Sequence, residues 1–200
     1  MSRDTRAPVG ALVLAAGMSQ RFGSANKLLA TIEGAPIVYH ATAIACASSA
    51  TPVVVVTGAE RGAVASAVRS CSVAVRYNHA YASGQASSVS LGAKIARDDG
   101  WAGLIYCLGD MPFVAPSTLD RLVDRFRSTD ATIVYPEYDG QRANPVLFGE
   151  RWFDALVSIE GDRGGRQLFN QCDSTAAVPC ADSGVVRDID TPNDLERYCD

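Results

Sequence analysis

The 200-residue chain is 48% apolar and 20% charged, with a formal net charge of −4. That content suits one domain over residues 1–200 and leaves no basic footprint for a nucleic acid polymer. No apolar run approaches the ~20 residues of a membrane span, and Met1–Pro8 lacks a secretory pattern, so a cytoplasmic protein without a membrane partner is expected.

In chain order, residues 10–15 read as a buried strand. Ile37, Ala41, Ile44 and Ala45 share one face of a helix predicted over 36–49. The near-uniform apolar run 52–57 predicts a strand covered on both sides. A helix over 60–70, a strand over 73–77, a helix over 85–98 and a strand over 103–108 continue the alternation. Leu119, Leu122, Val123 and Phe126 then mark an amphipathic helix over 116–127. Beyond it the rhythm changes. Strands over 131–135 and 144–148 are joined through a turn at Asp139-Gly140. Helical segments over 150–158 and 163–171 follow, then a strand near 176–179 and a short one near 185–187. A terminal helix starts with Thr191 as cap and Pro192 in its first turn. The pattern is α/β and doubly wound in its N-terminal half, with no internal repeat or linker. Ligands of such sheets sit beyond the carboxyl ends of the strands. Three loops meet there: 15–27, 78–88 and 109–112.

The first of these loops is the most informative. Leu14, Ala15, Ala16 and Gly17 end the strand in small residues, and Arg21, Gly23 and Lys27 follow. Small residues let backbone N–H groups approach phosphate oxygens, while Arg21 and Lys27 supply charge that follows a triphosphate through reaction. The spacing fits neither a Walker A loop nor a Gly-x-Gly-x-x-Gly turn. The alternative is a plain strand-to-helix loop with solvated cations. Asp110 stands at the end of an apolar strand and suits Mg²⁺, which takes one or two carboxylates besides substrate phosphates. Its alternative use is as a turn residue or a cap for the helix near Pro116. In an extended Asp188-Ile189-Asp190 both carboxylates would point to one side; their alternative use is a cap network for the last helix. Ser87 and Ser88, starting a helix, can meet a base or ribose, or cap.

The cysteines are Cys46, Cys71, Cys107, Cys172, Cys180 and Cys199, without a C-x-x-C pair or a metal-like His spacing. Cys107 reads as a buried thiol, and Cys172 with Cys180 is the pair to examine for a disulfide. His40 and His79 read as structural. With no Ser–His or Cys–His pair in view, the chemistry expected is positioning and charge stabilisation rather than a protein nucleophile.

Five segments, in order, resemble the MobA-like nucleotidyltransferases, and within them most the molybdenum cofactor cytidylyltransferases. They are Leu14-Ala15-Ala16-Gly17 with Arg21, Gly23 and Lys27; Asn78 with Gly84-Gln85-Ala86-Ser87-Ser88-Val89; Gly109-Asp110-Met111-Pro112; Asn144-Pro145-Val146-Leu147-Phe148 with Gly161-Asp162-Arg163-Gly164-Gly165-Arg166; and Asp188-Ile189-Asp190-Thr191-Pro192. The resemblance implies a three-layer α/β/α sandwich with a Rossmann-like, mixed and mostly parallel sheet of the nucleotide-diphospho-sugar transferase type. It implies a nucleotide-binding half over about 1–115 and an acceptor-binding half over about 116–200. It further implies transfer of CMP from CTP to a small phosphorylated acceptor, molybdopterin or its molybdenum form, with Mg²⁺ as cofactor and Mn²⁺ able to substitute. A molybdoenzyme is the implied protein partner.

By the same resemblance Asp110 and, in preference to Asp188, Asp190 hold the metal. Leu14, Ala15, Ala16, Gly17, Arg21, Lys27, Ser87, Ser88 and Gly109 hold the nucleotide. Asn144, Pro145, Gly161, Asp162 and Arg166 hold the acceptor, whose charge Arg142, Arg163 and Arg166 would meet. A Leu-Ala-Ala-Gly start goes with cytidine in these families, and Leu-Ala-Gly-Gly with guanosine. Gly165 stands where the family commonly has Ala, and Gln85 and Ala86 also depart from its pattern. Alternative readings are a guanylyl or sugar-phosphate nucleotidyltransferase, an NAD(P)H-dependent oxidoreductase on the same scaffold, and a molybdenum cofactor chaperone.

Overall fold

The computed structural model describes residues 7–19, 22, 25–161 and 164–199, the Cys199 side chain excepted. Arg21, Gly23, Asp162 and Arg163 therefore lie outside the described residues. An eight-stranded mixed sheet runs β10-β7-β9-β6-β1-β4-β5, with β8 beside β7. Its strands are β1 (Val9–Ala15), β4 (Val53–Thr57), β5 (Ala74–Tyr77), β6 (Gly103–Leu108), β7 (Ile133–Tyr138), β8 (Gln141–Arg142), β9 (Val146–Gly149) and β10 (Thr175–Pro179). A two-stranded ribbon, β2 (Thr31–Ile32) with β3 (Ala35–Pro36), stands apart. Strands β6, β1, β4 and β5 are mutually parallel, as are β7 and β10; β9 runs antiparallel to both β6 and β7.

The central strands read as unbroken apolar runs because both sheet faces are covered. Val9, Ala11, Val13 and Ala15 of β1 face one layer, while Leu12 faces the other. The first layer holds α1 (Ile37–Cys46), α2 (Arg61–Ala67) and α4 (Pro116–Ser128). The second holds α3 (Gln85–Asp98) and α5 (Phe153–Val157), with the 3₁₀ segment Gly164–Gln171. Helix α6 (Pro192–Cys199) ends the chain. Helix α4 buries Leu119, Leu122, Val123 and Phe126 as its periodicity predicts. Among the described residues, no helix is long and apolar enough to cross a membrane.

Two local features differ from expectation. Strand β7 extends to Tyr138, and Asp139-Gly140 turns it directly into β8 rather than into β9. Both turn residues take left-handed φ, 48° and 73°, as a two-residue hairpin requires. The strand expected near 185–187 is instead a 3₁₀ turn, Ser183–Val186, because Asp182 accepts from the Gly184 amide and winds the chain. Cys172 and Cys180 are both free thiols. Burial pushes the Cys107 thiol up to about 12, which keeps it protonated and inert.

Gly109 illustrates how backbone crowding sets the active end of the sheet. Its amide donates to the Leu14 carbonyl at 3.0 Å. A Cβ there would lie 2.7 Å from the same oxygen. Gly109→Ala should therefore destabilise the fold by roughly 1–3 kcal/mol, the cost of overpacking against atoms that cannot rotate away. Urea or thermal melts would measure it, and an unchanged midpoint would show that the two strand ends yield freely.

Candidate active site

The carboxyl ends of β1 and β6 and the start of α3 enclose a cleft of about 630 Å³. Its lining includes Leu14, Ala16, Gly17, Lys27, Gly84, Ser88, Asp110 and Asp190. Three stretches distant in sequence thus meet as the strand order predicts.

Lys27 is placed by a clasp across its loop. Ser19, at φ 52°, donates its hydroxyl to Asn26 Oδ1 at 3.1 Å and accepts from the Lys27 amide at 3.1 Å. Asn26 Oδ1 also accepts from the Leu28 amide at 3.0 Å, capping the 3₁₀ turn Lys27–Leu29. The buried Asn26 side chain is held in place by that turn. From this footing Lys27 Nζ donates to Asp110 Oδ2 at 2.5 Å and to Asp190 Oδ1 at 2.7 Å. Burial alone would lower the ammonium's pKa. The charge and hydrogen bond of Asp110, followed by those of Asp190, outweigh that and hold it above the ordinary lysine value.

Asp190 reaches this cluster because Ile189 is anchored. Ile189 is fully buried with Ile32 and Ile37, and its amide donates to the Asp110 carbonyl at 3.0 Å. The capping uses expected as alternatives are filled by other residues, while Asp110 does sit in the turn that follows β6. Asp182, not Asp110, caps α4, accepting from the Ala115 amide and the Thr118 hydroxyl. Thr191 and Asp194 form the cap of α6: Asp194 Oδ2 accepts from the Thr191 amide and hydroxyl, while the Asp194 amide donates to Thr191 Oγ1. Asp188 is exposed beside the cluster. Desolvation first, and then the charges of Asp190 and Asp110, raise its carboxyl above the usual range.

The pair Asp110 and Asp190 suits a hard divalent cation. Their oxygens converge on one ammonium, and Asp110 Oδ1 is buried without a hydrogen-bond partner among the described residues. Among the described residues, no cluster of three or more Asp, Glu, His or Cys side chains forms a denser metal site. A two-carboxylate site with waters and phosphates completing the shell is the type Mg²⁺ accepts.

At the opposite wall, Asn78 organises the start of α3. Its Nδ2 donates to Ser87 Oγ at 2.8 Å and Ser88 Oγ at 2.9 Å, and its Oδ1 accepts from the Ala80 amide. Ser87 Oγ donates back to the Gly84 carbonyl within the first turn of α3, whereas Ser88 lines the cleft. Ala15 belongs to the core layer rather than the cleft wall. Gly109 shapes the site through backbone approach and does not line it. His79 rests against Tyr77 outside the cleft, and His40 Nε2 pairs with the Ile32 carbonyl.

A smaller crevice of about 70 Å³ adjoins the cleft, sharing Leu14, Gln85 and Leu108 with it. Asn144, Arg166, Phe148 and Phe169 line it. Pro145 turns to the opposite sheet face, among Ala41, Cys107 and Leu119. Gly161 contributes backbone, its carbonyl accepting from the Ala86 amide at the start of α3. A Cβ on Gly165 would lie 2.8 Å from the Phe148 ring, so the departure at this position makes room for that aromatic. Arg142 stacks over Phe169 at 3.8 Å from the ring centre, at the crevice's aromatic wall. Asn78, Ser19 and Asn26 carry much of this geometry and were not marked as site residues by sequence. Asn78 stood inside a matched segment, which was the available signal.

A family model described as MobA-like NTP transferase domain matches residues 11–176. The bifunctional protein GlmU of Cereibacter sphaeroides is 31% identical over 186 residues, covering 90% of this chain and 40% of GlmU. The chain thus spans well under half the length of that relative. Rv0371c of Mycobacterium tuberculosis H37Rv superposes with a TM-score of 0.82 at 25% identity, covering 98% of this chain and 99% of its own. The molybdopterin-guanine dinucleotide biosynthesis protein A of Archaeoglobus fulgidus shares the fold at a TM-score of 0.73 and 18% identity, covering 96% of this chain and 97% of its own.

Proposed function

The chain belongs to the MobA-like NTP transferase family, and on that premise we propose that it is a Mg²⁺-dependent cytidylyltransferase acting on CTP and a phosphorylated acceptor of the molybdopterin type. The observation that carries the reading is the meeting of Lys27, Asp110 and Asp190 at one end of a nucleotide-sized cleft. An acceptor phosphate oxygen attacks the α-phosphorus of CTP, the bond to the β-phosphate oxygen breaks, and pyrophosphate leaves. Lys27, with Arg21, offers positive charge to the phosphates as negative charge spreads over their oxygens. When bound, Mg²⁺, held by Asp110 and Asp190, adds neutralisation of the triphosphate. Ser88 offers a hydroxyl to the nucleoside, and Ala16, with its methyl group in the cleft wall, favours a pyrimidine over a purine. Asn144, Arg166 and the aromatic wall of the adjoining crevice receive the acceptor; Gly161 and Asp162 are assigned to it on the family resemblance alone. We assign residues 1–115 mainly to the nucleotide and 116–200 to the acceptor, Asp190 excepted.

The similarity to GlmU favours a second reading, nucleotidyl transfer to a sugar phosphate. Pyrophosphate release measured with each of CTP, GTP, UTP and ATP, against molybdopterin and against sugar 1-phosphates, separates the two. CTP with molybdopterin is expected to be fastest by at least tenfold. Preference for UTP with a sugar phosphate would replace the first reading with the second. Absence of release in every combination would overturn both.

A further inference from the structure

The cation that bridges Asp110 and Asp190 in this structure is the protein's own. Lys27 Nζ takes Asp110 Oδ2 and Asp190 Oδ1 together, and the remaining Asp110 oxygen is sealed from solvent. A divalent ion would draw on the charge of these same two carboxylates. An ammonium at hydrogen-bond distance from both competes with it, because the two cations repel across a partly desolvated space. The Lys27 backbone is clasped by Ser19 and Asn26, whereas its four-carbon stem carries rotatable bonds through which the ammonium can be re-aimed. The side chain also lines the cleft, where a triphosphate would offer it a second set of anions.

We propose that Lys27 is an exchangeable counter-ion: it occupies the metal position of the empty enzyme and yields it only when a nucleotide triphosphate arrives to receive the ammonium. Metal and nucleotide are then bound cooperatively through one side chain, and the coupling is reciprocal. The inference rests on the metal assignment made above for Asp110 and Asp190. It gives Lys27 a role before chemistry, distinct from its contact with the phosphates during transfer.

The test is Mn²⁺ binding to the full chain without nucleotide, followed by electron paramagnetic resonance. Lys27→Met is expected to bind Mn²⁺ at least tenfold more tightly than the wild type, and Asp110→Asn added to it should abolish the gain. Lys27→Gln provides a second variant, with circular dichroism as the check that each is folded. A larger rise in melting temperature on adding Mn²⁺ to the Lys27 variants than to the wild type is the matching stability readout. Equal or weaker Mn²⁺ affinity in both folded Lys27 variants would overturn the exchange. The transferase reading would survive that result if Asp110→Asn still removed wild-type Mn²⁺ binding. Tight binding that persists in the Lys27→Met/Asp110→Asn protein would place the ion elsewhere and overturn the metal assignment as well.

Discussion

Asp110→Ala is expected to lower pyrophosphate release by about 10³-fold or more, the scale on which a lost preorganised charge partner is felt in the transition state. The variant loses both the proposed ligand oxygen for a divalent ion and the strongest partner of Lys27. Its fold should persist. The tie that docks the Ile189 segment uses the Asp110 carbonyl, and the helix start at Ala115 depends on Asp182. A cooperative melt close to wild type, together with lost turnover of CTP and molybdopterin, is the expected pair of measurements. Turnover within a few-fold of wild type would remove Asp110 from the chemistry.

Lys27→Ala is expected to lower kcat/KM for CTP by about 10²–10³-fold, the range for deleting one group aimed at developing charge. The effect should fall on both binding and rate, since the ammonium meets phosphates in the ground state and in the transition state. Its protonation does not limit the reaction near neutrality. The folded-state pKa lies above the ordinary 10.5, so the charge and the stability it confers are fully present below that value. They are lost only as pH rises through the folded value. A pH profile between 6 and 9 should show no inflection assignable to Lys27. Full activity of a folded Lys27→Ala protein would leave the cleft without its central cation and sink the assignment.

The alternation of apolar strands and amphipathic helices was legible through Leu108 because burial on both faces writes itself into composition, as in the valine run of β4. Helix α4 was equally plain from its stripe of Leu119, Leu122, Val123 and Phe126. The second half was less so. Residues 185–187 look like a strand in isolation, yet Asp182 starts a 3₁₀ turn, Ser183–Val186, that takes in the first two of them, while reaching across to the start of α4. The winding bond is local, and the other oxygen of the same carboxylate is held by the Ala115 amide, 67 residues away in the chain. The same limitation applies to Ser87 and Ser88. Adjacent and chemically identical, they divide into a hydroxyl turned back on the Gly84 carbonyl and a cleft-lining one because Asn78 and Gly84 hold them differently.

Local chemistry, read from the sequence alone, determined which residue types belong to the site: a small-residue turn after β1, a lysine in its loop, a carboxylate ending β6 and a second carboxylate near the terminus. Spacing along the chain carried that information, since turn conformation and strand burial are short-range properties. Tertiary structure brought Asp190, and not its neighbour Asp188, into hydrogen-bond distance of Lys27, exposed Asn78 as the organiser of α3 and set Lys27 between Asp110 and Asp190. Those outcomes follow from where buried Ile189 and the Ser19–Asn26 clasp fix the backbone, which no local pattern encodes.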